Sequence, residues 1–390
     1  MLYLDNAATT PPYEEVVTTV ADVMRQHYGN PSSIHRIGMD AQKLVSRARE
    51  VIGSVLHAKP SELIFTSGGT ESSNLAIKGA AYRYRNRGSH LITTAVEHAS
   101  VTAAFEQLEA EGFTVTILPV DDTGAVTLEQ LQAAVTDETI LVSVMHVNNE
   151  MGRIQPIAEI GRWLRGRRTV LFHVDAVQGV GKLPLHPAEM GIDLMSASAH
   201  KFKGPKGAGF LYKREGIELQ PLLAGGGQEH GMRSGTENVP LIVGMAKALR
   251  LATENLQADI QRKRAFRDIV ADGIRSMPEL MLTGAGDPAQ MAPHLLHFCY
   301  PGMNSEVVVH ALEQRGIYIS TKSACSSGVP EASKVLLAMG YDKQRASSGL
   351  RVSWTEEHSE SDAHRFVGEL RQVIDELVPV TLTDKGGRKR

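Results

Sequence analysis

Short apolar runs recur along the first half of the chain, at "ELIFT", "HLITT", "TVTILPV", "TILVSVMHV", "TVLFHVDAV" and "DLMSASA", with amphipathic stretches such as "TLEQLQAAV" between them. Runs of that length suit buried strands. Strands alternating with helical patterns predict a mostly parallel sheet covered by helices on both faces, an α/β fold. From about Val243 to Met277 the pattern becomes a long charged periodicity with few breakers, which predicts one or two helices with a domain junction inside them. Beyond it, "PHLLHFCY", "IYIST" and "LRVSW" read as strands, and "SEVVVHALEQRG", "SKVLLAMG" and "SDAHRFVGELRQVIDELV" as helices. This part predicts a smaller α+β domain.

Composition narrows the class without changing the fold. The chain has 390 residues, 42% of them hydrophobic and 22% charged, enough for two domains with sizeable cores. A formal net charge of -3 offers no strong field to gather nucleic acid or anionic membrane. The start, "MLYLDNAATTPP", lacks the basic segment and apolar run of a secretory signal, and no apolar stretch is long enough to span a bilayer. A soluble cytoplasmic protein is expected, without membrane or direct nucleic-acid binding. Only two cysteines occur, Cys299 and Cys325, which excludes a disulfide framework and a multi-cysteine zinc site. No metal site is expected. The closing "TDKGGRKR" reads as a solvated tail.

Several strand ends carry polar groups. "TSGGTESSN" runs through Ser67, Gly68, Gly69 and Thr70 into a helix, where open N–H groups and the Thr70 hydroxyl suit a phosphate, although a plain glycine turn with Thr70 as N-cap fits too. "AGGGQEHGMRSGTEN" places Arg233, Ser234 and Thr236 among glycines, either as a flexible linker or as a second anion loop. Asp175 and Gln178 follow the strand "LFHVD", Glu97 and His98 follow "HLITT", and Asn148, Asn149 and Glu150 follow "ILVSV". Open α/β sheets bind ligands at such strand ends. In "SAHKFKGPKG", Lys201 directly follows a strand, while Lys203 and Lys206 flank Gly204-Pro205, a turn expected to face water. Burial makes a lysine a nucleophile, so Lys201 is the candidate, with Ser198 and His200 beside it. Cys325 lies in "STKSACSSG", a loop of small residues suited to a travelling thiol, with Lys322 placed to favour the thiolate. Cys299, inside "LLHFCYPG", reads as a core residue.

Together these stretches resemble the class V, fold-type I pyridoxal-phosphate enzymes, and most closely the group I cysteine desulfurases of the NifS/IscS type. The matching segments are "YLDNAATT", "GNPSSIH", "TSGGTESSN", "EHAS", "HVNNEMG", "HVDAVQGVGK", "SAHKFKGPKGAGFLY", "GGGQEHGMRSGTEN", "SACSSG" and "LRVSW", in the family's order across nearly the whole chain. The resemblance implies a large domain with a mostly parallel seven-stranded sheet over residues 12–258, and a small α+β domain from residues 1–11 and 259–390 carrying a mobile cysteine loop. It implies that Lys201 links covalently to pyridoxal 5'-phosphate, that His98 stacks on the ring, that Asp175 pairs with its nitrogen and that Gln178 bonds its phenolic oxygen. Asn149 falls in the family's cofactor and substrate motif. Gly69, Thr70, Ser198 and His200 are implied to hold the phosphate, with Thr236 supplied by the other subunit of a homodimer. Arg351, helped by Asn30, matches the group that binds the substrate carboxylate, and Cys325 the sulfur acceptor. The implied activity is that of a sulfurtransferase: L-cysteine becomes L-alanine, a persulfide forms on Cys325, and the sulfur passes to an acceptor protein, either an iron–sulfur scaffold or a tRNA-thiolation sulfurtransferase.

Two stretches depart from the family's usual pattern, "STKSAC" before the thiol and "VSWTEEHSESD" after Arg351, where Trp354 stands in place of a smaller side chain. Both are expected to shape the surface that meets the acceptor. A selenocysteine lyase or a non-desulfurating enzyme on the same fold would leave Cys325 without a purpose. A cofactor-binding scaffold without turnover would not need Lys201, His98, Asp175 and Cys325 together.

Overall fold

The computed structural model describes residues 1–167, 169–284, 286–321 and 332–384, with side chains through residue 377. Cys325, Lys322 and the basic tail from residue 385 onward lie outside the described residues. The chain opens with the strand β1 (Leu2–Tyr3) and two helices, α1 (Glu14–Gln26) and α2 (Arg36–Leu56). Neither helix was read from the apolar pattern. Two glutamates occupy the first turn of α1, where the helix dipole favours them, and α2 is capped by His35, whose Nδ1 accepts from the Gly38 N–H at 3.3 Å.

The apolar runs then form β2 (Leu63–Thr66), β3 (His90–Thr94), β4 (Thr114–Leu118), β5 (Thr139–Ser143), β6 (Leu171–Asp175), β7 (Leu194–Ser198) and β8 (Gly209–Lys213). They pair in the order β2-β8-β7-β6-β5-β3-β4, and only β8 runs antiparallel to its neighbours. Between them lie α3 (Gly69–Tyr84), α4 (Ala99–Ala110), α5 (Leu128–Ala134) and α6 (Ile157–Leu164). Every residue of β3, β5, β6 and β7 is buried, as expected for parallel strands covered on both faces. One core cluster holds Val142, Phe172, Met195 and Phe210 together with residues of α2 and of the later helix Val239–Glu254, and another holds Leu91, Leu141, Leu194 and Leu211 with α3 and α4. Alternate residues of the same strands thus feed opposite faces.

The charged stretch becomes α7 (Val239–Glu254) and α8 (Leu256–Arg275), broken at Asn255. α7 packs against α1 and α2, so closely that a Cβ on Gly244 would stand 2.6 Å from Val20 Cγ2. The remaining elements are β9 (Met281–Leu282), β10 (Leu295–Cys299), α9 (Ser305–Gln314), β11 (Ile317–Tyr318), α10 (Lys334–Ala338), α11 (Lys343–Ala346), β12 (Gly349–Ser353) and α12 (Glu360–Asp384). β10 is the middle strand of an antiparallel sheet between β12 and β9, while β1 pairs in parallel with β11. A third core cluster joins Leu2 and Leu4 to Phe266, Phe298, Val352 and Phe366. The N-terminus is therefore packed with the C-terminal third of the chain. Cys299 is buried as expected, and burial raises its thiol pKa.

Two expectations are corrected. Trp354 is not a surface residue: it is 1% exposed, stacks on Phe266 at 4.6 Å between ring centroids and donates its indole N–H to the Lys263 carbonyl at 3.0 Å. Lys203 does not face water either, because the N-terminal segment covers the turn. Its N–H donates to Thr10 at 2.8 Å, its ammonium lies 4.2 Å from the Tyr13 ring centroid, and it pairs with Glu356 and Glu357. Loss of the Trp354 ring leaves a cavity, so Trp354→Ala should cost about 3–5 kcal/mol in urea unfolding; a loss below about 1 kcal/mol would place the indole at the surface after all.

Candidate active site

The C-terminal ends of β2, β3, β5, β6 and β7 all open into one cavity of about 530 Å³. Gly69 and Thr70 enter it from β2, His98 from β3, Asn149 from β5, Asp175 and Gln178 from β6, and Ser198, His200 and Lys201 from β7. Arg351 arrives from β12. The parallel sheet thus aims its ligand-facing edge at a single space.

One wall is the N-terminus of α3. Its N-cap is Gly68, at φ +154°, with no side chain to occupy the first N–H groups. A Cβ on Gly69 would stand 2.7 Å from Val177 Cγ2, and one on Gly209 would stand 2.5 Å from Gly68 Cα, so glycine is what lets the backbone close round the cavity. Open N–H groups at a helix start bind anions. The carboxylate of Glu71, in the same first turn, is neutralised by Arg233 at 2.8 Å and accepts from Ser67 N–H at 2.8 Å, which holds its pKa below the usual value.

The floor is polar and buried. Lys201 Nζ donates to the carbonyls of Ala7 and Ala8, both at 2.7 Å. Asp175 is 5% exposed and accepts from the Val177 N–H at 3.0 Å. Burial raises its pKa, opposed by His98 and Lys201. His98 Nδ1 accepts from the Ser100 N–H at 3.2 Å, so a neutral ring carries its proton on Nε2. Burial and then Lys201 push His200 down to about 4, so its ring is neutral near pH 7, with Nδ1 3.1 Å from the Thr9 hydroxyl. Arg351 is 2% exposed and held on two sides, by the Asn149 carbonyl and Asp5, each at 2.8 Å. Among the described residues its Nε is enclosed without a partner. A guanidinium fixed at the cavity wall suits a carboxylate.

Against known proteins, the family model for class-V aminotransferases matches residues 2–366. The cysteine desulfurase IscS of Clostridium botulinum is 41% identical over 96% of this chain and 94% of its own length. A solved NifS-like protein superposes with a TM-score of 0.90 at 36% identity, covering 96% of this chain and 100% of that one. Another, SspA solved in complex with cysteine, gives 0.80 at 34% identity over 91% and 99%. The chain belongs to the cysteine desulfurases of the class-V aminotransferase family.

Measured against that family's expected residues, the cavity gathers ten: Gly69, Thr70, His98, Asn149, Asp175, Gln178, Ser198, His200, Lys201 and Arg351. It does not gather the other two that are described. Thr236 is exposed beside a second cavity shared with Gly207 and Arg233, and Asn30 is exposed between α1 and α2, accepting from the Ser32 N–H at 2.9 Å. The sequence reading gave no role to Asp5, Ala7, Ala8 and Thr9, which hold Arg351, Lys201 and His200. The signal was present, since "LDNAATT" had been matched as a segment. Backbone carbonyls, however, have no letter of their own in a sequence.

Glu97 behaves unusually for a carboxyl. Its Oε1 accepts from the Thr94 hydroxyl and the Met145 N–H, each at 2.8 Å, while Oε2 is enclosed without a partner among the described residues. Burial, with a smaller push from Asp175, raises its pKa from 4.5 to about 8. Between those values the folded chain holds a proton that the unfolded chain has lost, so stability falls as pH rises through the window, by ~1.4 kcal/mol per unit. Glu97→Gln removes this dependence. In urea unfolding at about pH 5.5 and 7.5, the variant should gain on the parent at the higher pH; a constant difference between the two would mean that Glu97 is ionised.

Proposed function

We propose that this cavity binds pyridoxal 5'-phosphate and L-cysteine, and that the protein removes the sulfur of L-cysteine to leave L-alanine and a persulfide on Cys325. The observation that carries the reading is the meeting of Lys201, Asp175, His98 and Arg351 round one space beside the uncapped, glycine-lined start of α3. That donor set suits the cofactor. The N–H groups of α3, Thr70, Ser198 and His200 would hold the phosphate, Asp175 the ring nitrogen, Gln178 the phenolic oxygen, and Lys201 the aldehyde carbon. When bound, the cofactor supplies an electron sink for the substrate's α-carbon.

The protein's own residues do the rest. Arg351, immobilised by Asp5 and Asn149 at the cavity wall, takes the substrate carboxylate with its guanidinium and so fixes which end of the amino acid faces the floor. Lys201, steadied by two carbonyls, has an amine placed to move a proton at the α-carbon once displaced, and His98 Nε2 offers a second donor. The Cys325 thiolate attacks the substrate sulfur, the carbon–sulfur bond breaks, and the sulfur remains on Cys325 until an acceptor thiol takes it. The acceptor is a protein serving iron–sulfur assembly or tRNA thiolation.

We further read the active form as a homodimer of two-domain subunits, a large domain of residues 12–258 and a small one of residues 1–11 and 259–390. Thr236 stands exposed and outside its own chain's large cavity, which supports a role for it in a partner's site. Large apolar side chains, Tyr28 and Ile34 between α1 and α2, Met39 in α2 and Leu223 in the loop after β8, are exposed in the single chain. Among the described residues no helix is long and apolar enough to cross a membrane.

The test is visible absorbance followed by product analysis with L-cysteine and a thiol reductant. The parent protein should be yellow and release sulfide and alanine in equal amounts. Lys201→Ala and Cys325→Ala should each lose at least about 10³-fold in turnover, with only Cys325→Ala keeping the parent absorbance. Undiminished sulfide release by Cys325→Ala, or a colourless parent that stays colourless with added pyridoxal phosphate, would sink the reading.

A further inference from the structure

An amide side chain has two ends of nearly equal shape and opposite chemistry, so its surroundings decide which end meets a ligand. At Gln178 both neighbours agree. Nε2 donates to the Ala7 carbonyl at 2.9 Å, a group that only accepts, and Oε1 accepts from Lys182 Nζ at 2.9 Å. Gln178 is 4% exposed and Lys182 7%. The turn between them is tightly held: a Cβ on Gly179 would stand 2.1 Å from His146 Nδ1, and Gly181 has φ +73°. Its backbone bonds, Lys182 N–H to the Gly179 carbonyl at 3.0 Å among them, bring Lys182 back beneath Gln178.

Lys182 itself does not line the large cavity. It borders a separate space of about 20 Å³ behind Lys201, with Lys263, His294 and Glu356. The charged groups that face it are Lys201, Lys263 and Arg351, which oppose its protonation, and Glu356, which favours it. Burial above all, and then the three cations, lowers its pKa well below the usual lysine value. An amine donates an N–H in either protonation state, so the bond to Gln178 survives. Burying a lysine among cations is costly, and an apolar chain of similar length would fill the space at less cost.

We propose that Lys182 is a positioning residue: it fixes the Gln178 amide with its second N–H turned into the cavity, as a donor to an anionic oxygen of the bound ligand. This rests on the proposed function only for the identity of that ligand. The same Ala7 carbonyl accepts from both Gln178 and Lys201, so the amide and the reactive amine share one anchor. Removing Lys182 leaves Oε1 buried without a donor, and the amide then turns or shifts to find one.

The experiment compares Lys182→Met, Lys182→Gln, Gln178→Leu and the Lys182→Met/Gln178→Leu double variant, each loaded with pyridoxal phosphate. The readout is the pH midpoint of the visible absorbance change. Lys182→Met should raise that midpoint by about one pH unit, roughly a tenfold change in proton affinity. Gln178→Leu should do the same, the double variant should move no further, and Lys182→Gln, which keeps an N–H donor, should restore the parent midpoint. If Lys182→Met does not fold, Lys182→Leu, which likewise has no donor, carries the same expectation. A merely structural lysine would lower the melting temperature of Lys182→Met without moving the midpoint, and that result, or additive shifts in the double variant, overturns the proposal. A parent protein without any absorbance counts against the proposed cofactor instead. The proposal on Lys182 is then decided by melting temperatures of the four unloaded proteins, where coupled losses support the contact and additive losses refute it.

Discussion

Asp5 and Arg351 meet at 2.8 Å in a setting where the arginine is almost wholly removed from water. Breaking such a pair from one side strands a buried charge, which costs several kcal/mol, so the pair fixes the path of the N-terminal segment. Around it, Asn6 donates to the carbonyls of Tyr3 and Ser353, and Ala7 N–H donates to the Ser353 hydroxyl. The segment is thereby held along β12, and the carbonyls of Ala7 and Ala8 are delivered to Lys201. Thr9 and Thr10 continue it to the side chain and carbonyl of His200. A few residues at the start of the chain therefore connect the ligand-facing edge of the seven-stranded sheet with the strand that carries Arg351.

Behind this segment the interior is unusually cationic. Lys182, Lys263, Lys203 and Arg351 are all less than a tenth exposed, and Glu356 is the carboxylate they share most. Burial alone would raise the Glu356 pKa, but Lys263 and then Lys203 bring it down to about 2. Its folded value lies below its unfolded one, so its contribution to stability is present above about pH 4.5 and is lost as pH falls toward 2. Glu97, just after β3, is shifted the opposite way because no cation among the described residues compensates its burial. Two glutamates thus carry different charges near neutral pH for reasons of environment alone.

Much of the architecture was legible in the chain. The run "HLITT" coincides with β3, and the long charged stretch, expected as one or two helices, breaks at Asn255 into two. Buried parallel strands announce themselves because both faces must be apolar. The helices α1 and α2 were not legible by the same means. α1 buries only Val16 and Val23, and α2 buries a thin line, Ala41, Val45, Ala48, Ile52 and Leu56, whose helical spacing is carried by small residues among many charges. Trp354 and Lys203 misled in the same sense. An aromatic among acidic residues looked like surface and a lysine beside Gly-Pro looked like a turn, yet each is covered by a segment remote in sequence.

What the sequence by itself determined is the set of chemical groups: a lysine, an aspartate and a histidine at the ends of apolar strands, a glycine start to α3, an arginine in β12, and the family to which that order belongs. These are local facts, because strand periodicity and turn chemistry act over a few residues. Only the tertiary structure decided what holds them. The anchors are backbone carbonyls at Ala7 and Ala8, a carboxylate at Asp5 and an amine at Lys182, and the first three reach their partners across about half the chain or more. Contacts of that kind exist only after the sheet and the N-terminal segment have packed, since burial is what makes each of them strong enough to matter.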